Sequence, residues 1–243
     1  MHRFYVDHLL SGDMEVPLTQ DDARHALRVL RMRPGEEARI IGEEQCFSAV
    51  LSRVENDAVY FRLREPLPGT EPSLKITIYQ GLPKADKMEW IIQKAVELGV
   101  QEIVPVRMAR CVVRLENRDA EKKRERWQKI AREAGKQSGR CHIPQVTLPC
   151  SLPDLTVLSA GQEACAVPWE EAGGIGPRAF CELYPGLKSL GILIGPEGGI
   201  EPAEIQALSP RFQPITLGPR ILRTETAGLA CAAAFLALLG EMG

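Results

Sequence analysis

The alternation of short apolar segments with helical ones beyond residue 73 constrains the fold more than any other feature of the chain. The apolar segments are "LKITIYQGL", "EIVPV", "ACAVPW", "LGILIG" and "PITLG", and helical sequence follows each of them. Strands that alternate with helices form parallel sheets, because a crossover helix returns the chain to the same end of the sheet. Strands that are apolar throughout also suit a sheet covered on both faces. The sequence therefore predicts an α/β domain over residues 73–243.

A break in composition separates this region from the N-terminal part. "REPLPGTEPSL", residues 64–74, is rich in proline and cannot continue a helix or a central strand. Before it, "RFYV", "ARIIG", "CFSAVLSRV" and "AVYFRLR" predict short strands, the last three with half-buried alternation. "LTQDDARHALRVLRM" predicts an amphipathic helix with Thr19 as its N-cap. We therefore predict a small β-barrel-like module over residues 1–68.

The composition indicates neither an overall affinity for nucleic acid nor a membrane location. The net charge of -2 gives no overall attraction to nucleic acid, so any such affinity must come from local patches. The start of the chain does not resemble a secretory leader, and the longest apolar run, "GLACAAAFLALLG", is shorter than the ~20 residues of a membrane span. These features predict a cytoplasmic protein.

The cysteines and histidines give no sign of a metal site. The seven cysteines are scattered without a CxxC pair, and the four histidines show no ligand spacing. We expect neither a disulfide framework nor a bound metal, and we expect most of the cysteines to be small core residues.

Three helices of the α/β region are predicted by periodicity. "KADKMEWIIQKAVELG" has one apolar face and ends at Gly99, a natural C-cap. A long charged helix is predicted over residues 118–137. A last helix, apolar nearly all round over residues 227–239, is expected to be buried or at an interface, with Thr224 as its N-cap.

Two Gly-Pro turns follow neighbouring strands, in "LIGPEGGIEP" and "ITLGPRILRTETAG". In open parallel sheets ligands bind at the carboxyl ends of the strands. Gly195, Gly198, Gly199 and Gly218 lack a Cβ, so their backbone can approach a ligand closely. Neither G-x-G-x-x-G after the first strand nor a P-loop motif is found. The turns are thus either ordinary strand-to-helix connections, with Pro202 opening a helix, or walls of a site for an adenine-like planar group.

Four motifs in order resemble the RsmE-type members of the SPOUT methyltransferases. They are "QGLPKADKMEWIIQKAVELGV", "EAGKQSGR", "LIGPEGG" and "LGPRILRTETA". "HRFYV" and "RHALRVLRMRPGE" resemble the family's N-terminal PUA-like RNA-binding domain. The resemblance implies methylation of uridine N3 in small-subunit ribosomal RNA near the decoding centre, with S-adenosylmethionine as methyl donor. It also implies a deep trefoil knot in the parallel-sheet domain and a homodimer that shares its site.

The resemblance implies that the two turns hold the cofactor. The implied cofactor residues are Leu82, Ile194, Gly195, Pro196, Glu197, Gly198, Gly199, Leu217, Gly218, Ile221, Leu222, Thr224 and Thr226. Two positions depart from the family pattern. Ile200 stands where an aromatic residue usually follows "GPEGG", and Arg24-His25 stands where a His-His pair is frequent.

Uridine N3 carries a proton at neutral pH and becomes nucleophilic only as that proton leaves. Arg223 can stabilise the negative charge that develops on a uracil oxygen, and Glu225 can orient the ring or accept a proton. The alternative is that the two residues form a local ion pair at the start of the last helix. Arg140 either reaches into a partner's site as a third catalytic residue or is an exposed helix-end arginine.

RNA binding requires local positive charge. The N-terminal module has no lysine before Lys75, only arginines, which bind phosphate in a bidentate manner. The candidate RNA-binding residues are His2, Arg3, Arg24, Arg28, Arg31, Arg33, Lys84 and Lys87. For Lys84 and Lys87, at the start of their helix, the alternative is a contact with the cofactor carboxylate. "EKKRERWQKIAREAGKQSGR" is either a solvated helix face or a second basic surface. Trp90 is predicted to be a core or interface residue rather than a base-stacking platform.

Two other functions remain open from the sequence. One is a SPOUT RNA methyltransferase that acts on a different base or on a ribose hydroxyl, against which the N-terminal module argues. The other is a non-catalytic RNA-binding assembly factor, against which the intact "GPEGG" and "RILRTET" motifs argue.

Overall fold

The computed structural model describes residues 1–7, 9–42, 45–115 and 117–242. The chain forms two compact units. The first consists of Met1–Glu71 with Gly135–His142, and the second of Pro72–Ala134 with Ile143–Gly243. The predicted division into 1–68 and 73–243 did not include the return of residues 135–142 to the first unit.

The described residues of the first unit form five strands and one short α-helix, which a π-helical turn extends. They are β1 (His2–Tyr5), β2 (Glu15–Pro17), α1 (Gln20–Arg24), β3 (Glu37–Gly42), β4 (Gln45–Glu55) and β5 (Ala58–Leu67). The strands form one sheet in the order β1-β3-β4-β5-β2, in which only the β1–β3 pair is parallel. Among the described residues β1 and β2 are not paired with each other, so a closed barrel stays a prediction.

Local sequence explains two features of this unit. β4 and β5 are joined by Asn56-Asp57, both with positive φ (48° and 63°), as a tight two-residue hairpin requires. The backbone N–H of Asp22 donates to Thr19 Oγ1 at 3.2 Å, which confirms the predicted N-cap. The α-helical part of the predicted helix ends at Arg24, and residues His25–Val29 continue it as a π-helical turn.

Residues 135–142 are held in the first unit by partly buried polar contacts. The Tyr5 hydroxyl donates to the Arg140 carbonyl at 2.5 Å. Arg140 Nε donates to Glu71 Oε2 at 3.0 Å, and the backbone N–H groups of Cys141 and His142 donate to Glu71 Oε1 at 2.9 and 3.1 Å. The Arg140 side chain is only 4% exposed, so its prediction as an exposed helix-end arginine is wrong.

We expect Glu71→Gln to loosen this segment by about 2 kcal/mol, because hydrogen bonds to a charged group contribute about 1.5–3 kcal/mol. The amide keeps the shape of the side chain and loses its charge. Hydrogen exchange of a peptide that covers residues 135–142 measures the change. Glu65→Gln, an exposed substitution in β5, is the control. Equal protection of the segment in both variants would show that the Glu71 charge does not hold it.

The second unit contains seven strands and six helices among its described residues. The strands are β6 (Lys75–Gly81), β7 (Glu102–Arg107), β8 (Gln145–Val146), β9 (Cys150–Ser151), β10 (Ala164–Pro168), β11 (Ser189–Ile194) and β12 (Gln213–Ile215). The helices are α2 (Lys87–Glu97), α3 (Asn117–Ser138), α4 (Asp154–Leu158), α5 (Pro177–Leu183), α6 (Pro202–Leu208) and α7 (Thr224–Leu238). α3 contributes its last residues to the first unit.

The strands of the second unit form a single sheet whose pairings are all parallel, in the order β12-β10-β11-β6-β7-β8, with β9 also paired to β7. This confirms the predicted α/β fold with a parallel sheet. The central strands β6 and β11 are buried over nearly their whole length, which explains why their sequences are apolar without alternation.

Helices cover both faces of this sheet. Alternate strand residues belong to different clusters, as a period of two requires: Ile78 packs with α2, α3, α5 and α7, and Tyr79 packs with α4 and α6. α2 buries the predicted apolar face, and Gly99 follows it with φ +94°. Trp90 on the same helix is 46% exposed, so it is not a core residue of this chain. Of the helices described, none is long and apolar enough to cross a membrane.

Candidate functional site

The two Gly-Pro turns lie at the carboxyl ends of β11 and β12 and are bonded to each other. The Thr224 hydroxyl donates to the Gly195 carbonyl at 2.6 Å. The sequence predicted Thr224 as the N-cap of α7, and this prediction is wrong. That position belongs to Arg223, and the Thr224 hydroxyl joins the second turn to the first.

A buried glutamine at the end of β6 completes this junction. Gln80 Nε2 donates to Thr224 Oγ1 at 2.9 Å and to the Gly81 carbonyl at 3.0 Å. The Gln80 side chain is fully buried, and its Oε1 has no hydrogen-bond partner among the described residues. Sequence reasoning missed this residue, although a polar side chain that ends an apolar strand was a usable signal.

The first turn has no room for side chains at its glycines. A Cβ at Gly195 would lie 2.6 Å from Ile200 Cγ1 and 3.1 Å from the Gly199 carbonyl carbon. Gly199 has φ +75°, a conformation that other residues adopt at a cost. The glycines therefore let the turn fold tightly on itself, and the turn presents backbone groups rather than side chains.

Arg110 holds this turn from the segment after β7. Its Nη1 donates to the Gly198 carbonyl at 3.0 Å, and its Nε lies 3.6 Å from a carboxylate oxygen of Glu201. A Cβ at Gly198 would lie 2.9 Å from the Arg110 Cβ, so the glycine allows this close approach. No periodicity or motif in the sequence connected Arg110 with the turn.

Lys87 lies between the two turns rather than on a free surface. Its ammonium is 3.0 Å from Glu197 Oε1 and 3.2 Å from Glu225 Oε2. Hydrogen bonds to Glu197 and then to Glu225 raise the pKa of Lys87. The pKa of Glu225 lies below its usual value, chiefly because the carboxylate accepts a hydrogen bond from the Glu225 backbone N–H. Partial burial raises this pKa, and the nearby Lys87 ammonium lowers it further. Glu225 is thus an ionised, weakly basic carboxylate.

Arg223 is the exposed cation beside this cluster. Its side chain makes no hydrogen bond or ion pair with another residue in the described part of the chain. The alternative of a local Arg223–Glu225 ion pair is therefore wrong, because Glu225 is paired with Lys87. An extended backbone at the N-cap (φ −66°, ψ 154°) positions Arg223 at the start of α7.

A cavity of about 380 Å³ opens between the end of β10 and the second turn. Its lining residues are Pro168, Trp169, Glu170, Thr216, Leu217, Gly218, Pro219, Arg220, Ile221, Leu222 and Ala227. The first turn lies beside it, since a Cβ at Gly199 would be 3.0 Å from Glu170 Oε1. Trp169 Nε1 is buried and has no hydrogen-bond partner among the described residues.

The predicted cofactor residues fall into four groups in the structure. Leu217, Gly218, Ile221 and Leu222 line the cavity, and Gly195–Gly199 form the turn next to it. Ile194 and Thr224 are buried below that turn. Leu82 is part of the main apolar core, and Thr226 is exposed in the first turn of α7; neither lines the cavity.

The predicted RNA-binding residues of the first unit are all exposed. They are His2, Arg3, Arg24, Arg28, Arg31 and Arg33. Arg24 is paired with Asp21. In the second unit Lys84 is exposed, and its backbone N–H donates to Glu197 Oε1 at 3.0 Å.

Comparison with known proteins identifies the family. The model of the RNA methyltransferase domain matches residues 70–236. The ribosomal RNA small subunit methyltransferase E of Bacillus subtilis is 39% identical over 241 residues, with 94% of this chain and 93% of that protein covered. The protein of the same name from Mycobacterium bovis is 31% identical, with 92% and 87% covered.

A solved structure agrees with these relatives. The ribosomal RNA small subunit methyltransferase E of Neisseria gonorrhoeae, bound to S-adenosyl methionine, superimposes with a TM-score of 0.82 at 34% identity, and 98% of each chain is covered. The chain therefore belongs to the ribosomal RNA small subunit methyltransferase E family of RNA methyltransferases.

Proposed function

We propose that this protein transfers the methyl group of S-adenosylmethionine to N3 of a uridine in small-subunit ribosomal RNA near the decoding centre. The observation that carries the proposal is the cavity at the carboxyl edge of the parallel sheet, closed on one side by the bonded pair of Gly-Pro turns and flanked by the exposed Arg223. Family membership supplies the reaction class.

The residues around the cavity fit the methyl donor. Leu217 and Leu222 offer apolar walls for an adenine ring, and the buried Trp169 Nε1 at the same wall is a donor without a partner in the described part of the chain. A Cβ at Gly218 would meet nothing within 4 Å, so the space beside its backbone is open. When bound, S-adenosylmethionine supplies an electrophilic methyl group on a sulfonium. The Glu170 carboxylate is the acidic side chain that lines the cavity and can face such a cation.

The charged residues of the second turn act on the uracil. Arg223 donates hydrogen bonds to a uracil oxygen and stabilises the negative charge that develops there as the N3 proton leaves. Glu225 is held ionised by a hydrogen bond from its own backbone N–H and by Lys87, so it accepts a hydrogen bond that orients the ring, and the N3 proton is released to solvent water. Arg140, buried on Glu71 in the first unit, is assigned a structural role.

The finer architecture implied by the sequence resemblance is part of this proposal. We infer that the first unit is a PUA-like module that contacts RNA through its exposed arginines, and that the second unit is knotted. An experimental chain trace in which α7 passes through no loop would contradict the knot. Half-buried Ala233 and Ala234 on the apolar α7, with the exposed Trp90 on α2, support a homodimer. A monomer in sedimentation velocity at micromolar concentration would contradict it.

Methylation of isolated small subunits tests the function. Subunits from a strain that lacks the enzyme are incubated with the protein and labelled S-adenosylmethionine, and the nucleosides are separated. We expect label in N3-methyluridine. Label in another base or in a ribose would assign the protein to a different RNA methyltransferase specificity, and no label would favour an assembly factor. Subunits from the wild-type strain, already methylated, are the control and should take up little label.

A further inference from the structure

α3 carries a surplus of positive charge. Its 22 residues include eight lysines and arginines against four aspartates and glutamates. The whole chain has 30 basic and 32 acidic residues, so the remainder has 22 against 28. A helix with this surplus in an otherwise acidic protein creates a local positive potential.

The charges are arranged on one side of the helix. Ala120, Trp127, Ala131 and Ala134 are buried and lie on the opposite side. At 3.6 residues per turn, four of the five exposed cations of α3 fall within an arc of about 80°. They are Arg118, Lys122, Lys129 and Arg132, which we call the cationic face of α3. All four belong to the second unit.

Acidic neighbours do not neutralise this face. Glu125 lies within the same arc, and Glu121 and Glu133 lie at its margins. None of the four cations forms an ion pair within 4.0 Å with another described residue. Lysine and arginine side chains are also longer than glutamate, so their charged ends extend further into solvent.

The cationic face is connected to the functional site by two contacts. Arg126, in the middle of α3, pairs with Glu89 of α2 at 2.8 Å. In the same first turn of α2, Lys87 bonds Glu197 and Glu225, which belong to the two turns of the site. α3 therefore lies against the helix that begins at the site, and an RNA strand that enters the site can continue across it.

We propose that the cationic face of α3 binds the phosphodiester backbone of the RNA substrate. The proposal rests on the proposed function for the identity of the RNA. A set of exposed, unpaired cations along one side of a helix suits a repeating phosphate chain, whose binding releases counterions and depends steeply on salt. The contact is independent of base sequence, so it adds affinity and orientation and leaves the choice of nucleotide to the site.

A triple substitution with a matched control tests the proposal. Lys122→Gln, Lys129→Gln and Arg132→Gln together remove three charges from the face while keeping helix-forming residues. Lys75→Gln, Arg178→Gln and Lys188→Gln remove three exposed charges elsewhere in the same unit. Affinity for small subunits is measured between about 50 and 200 mM salt, and affinity for S-adenosylmethionine is measured by calorimetry.

We expect the first triple variant to bind subunits about 10-fold or more weakly at the lowest salt. The slope of log affinity against log salt should fall by about 0.7–0.9 for each phosphate that the variant no longer neutralises. S-adenosylmethionine affinity should not change. Unchanged subunit affinity, or an equal loss in the control triple, would overturn the proposal. So would a first triple variant that binds phosphatidylserine vesicles more weakly than the wild-type protein but binds subunits equally well. These binding results stand apart from methylation, so failure of wild-type protein to form N3-methyluridine would count against the proposed function alone.

Discussion

Arg223→Ala is expected to lower the single-turnover rate of methyl transfer by roughly 100- to 1,000-fold, the usual effect of removing one donor that stabilises developing negative charge. The side chain is exposed at the N-cap of α7 and does not line the cavity. S-adenosylmethionine affinity should therefore be nearly unchanged. Rapid-quench measurement with saturating enzyme separates the chemical step from subunit binding.

Two variants sharpen this test. Arg223→Lys keeps a positive charge but loses the forked donor geometry, and should recover part of the rate. Arg178→Ala removes an exposed arginine from α5 in the same unit and should have no effect. An Arg223→Ala rate equal to that of the wild-type protein would remove Arg223 from the mechanism.

Thr224→Val is expected to destabilise the second unit by about 2–6 kcal/mol, because two hydrogen bonds are removed at roughly 1–3 kcal/mol each. The hydroxyl that donates to the Gly195 carbonyl and accepts from Gln80 is replaced by a methyl group of similar shape. Releasing the first turn from the second should also weaken S-adenosylmethionine binding by about 10-fold, equivalent to about 1.4 kcal/mol.

The stability change can be measured in the unit concerned. All three tryptophans, Trp90, Trp127 and Trp169, lie in the second unit, so tryptophan fluorescence in a urea titration reports on it. Thr224→Ser keeps the hydroxyl and should lose only about 1 kcal/mol for the missing methyl group. Equal unfolding midpoints and equal cofactor affinities for the valine and serine variants would show that the hydroxyl does not join the turns.

The backbone of the second unit was predictable because its signals are local. Apolar strands, the periodic face of α2, the charged length of α3 and Pro202 at the first position of α6 are all read within a few residues of chain. The parallel sheet follows from their alternation. The two Gly-Pro turns were identified for the same reason, since parallel strands place their carboxyl ends at one edge.

The contacts inside the site were not predictable, because each joins segments that are distant in sequence. Gln80 meets Thr224 across 144 residues, and Arg110 meets Gly198 across 88. The same limit explains why the position of Lys87 between Glu197 and Glu225 was not predicted. Charge alone does not show which partner a lysine will find. Only the fold brings the candidates together.

The return of residues 135–142 to the first unit affects how this chain folds during synthesis. The hydrogen bonds of Tyr5 and Glu71 to the Gly135–His142 segment can form only after that segment has been synthesised. When the first 71 residues leave the ribosome, their unit is still incomplete. Its last piece is translated after β6, α2 and β7 of the second unit. The N-terminal unit therefore reaches its final form only after more than a third of the following unit has been synthesised, so the two units cannot complete their folding strictly one after the other.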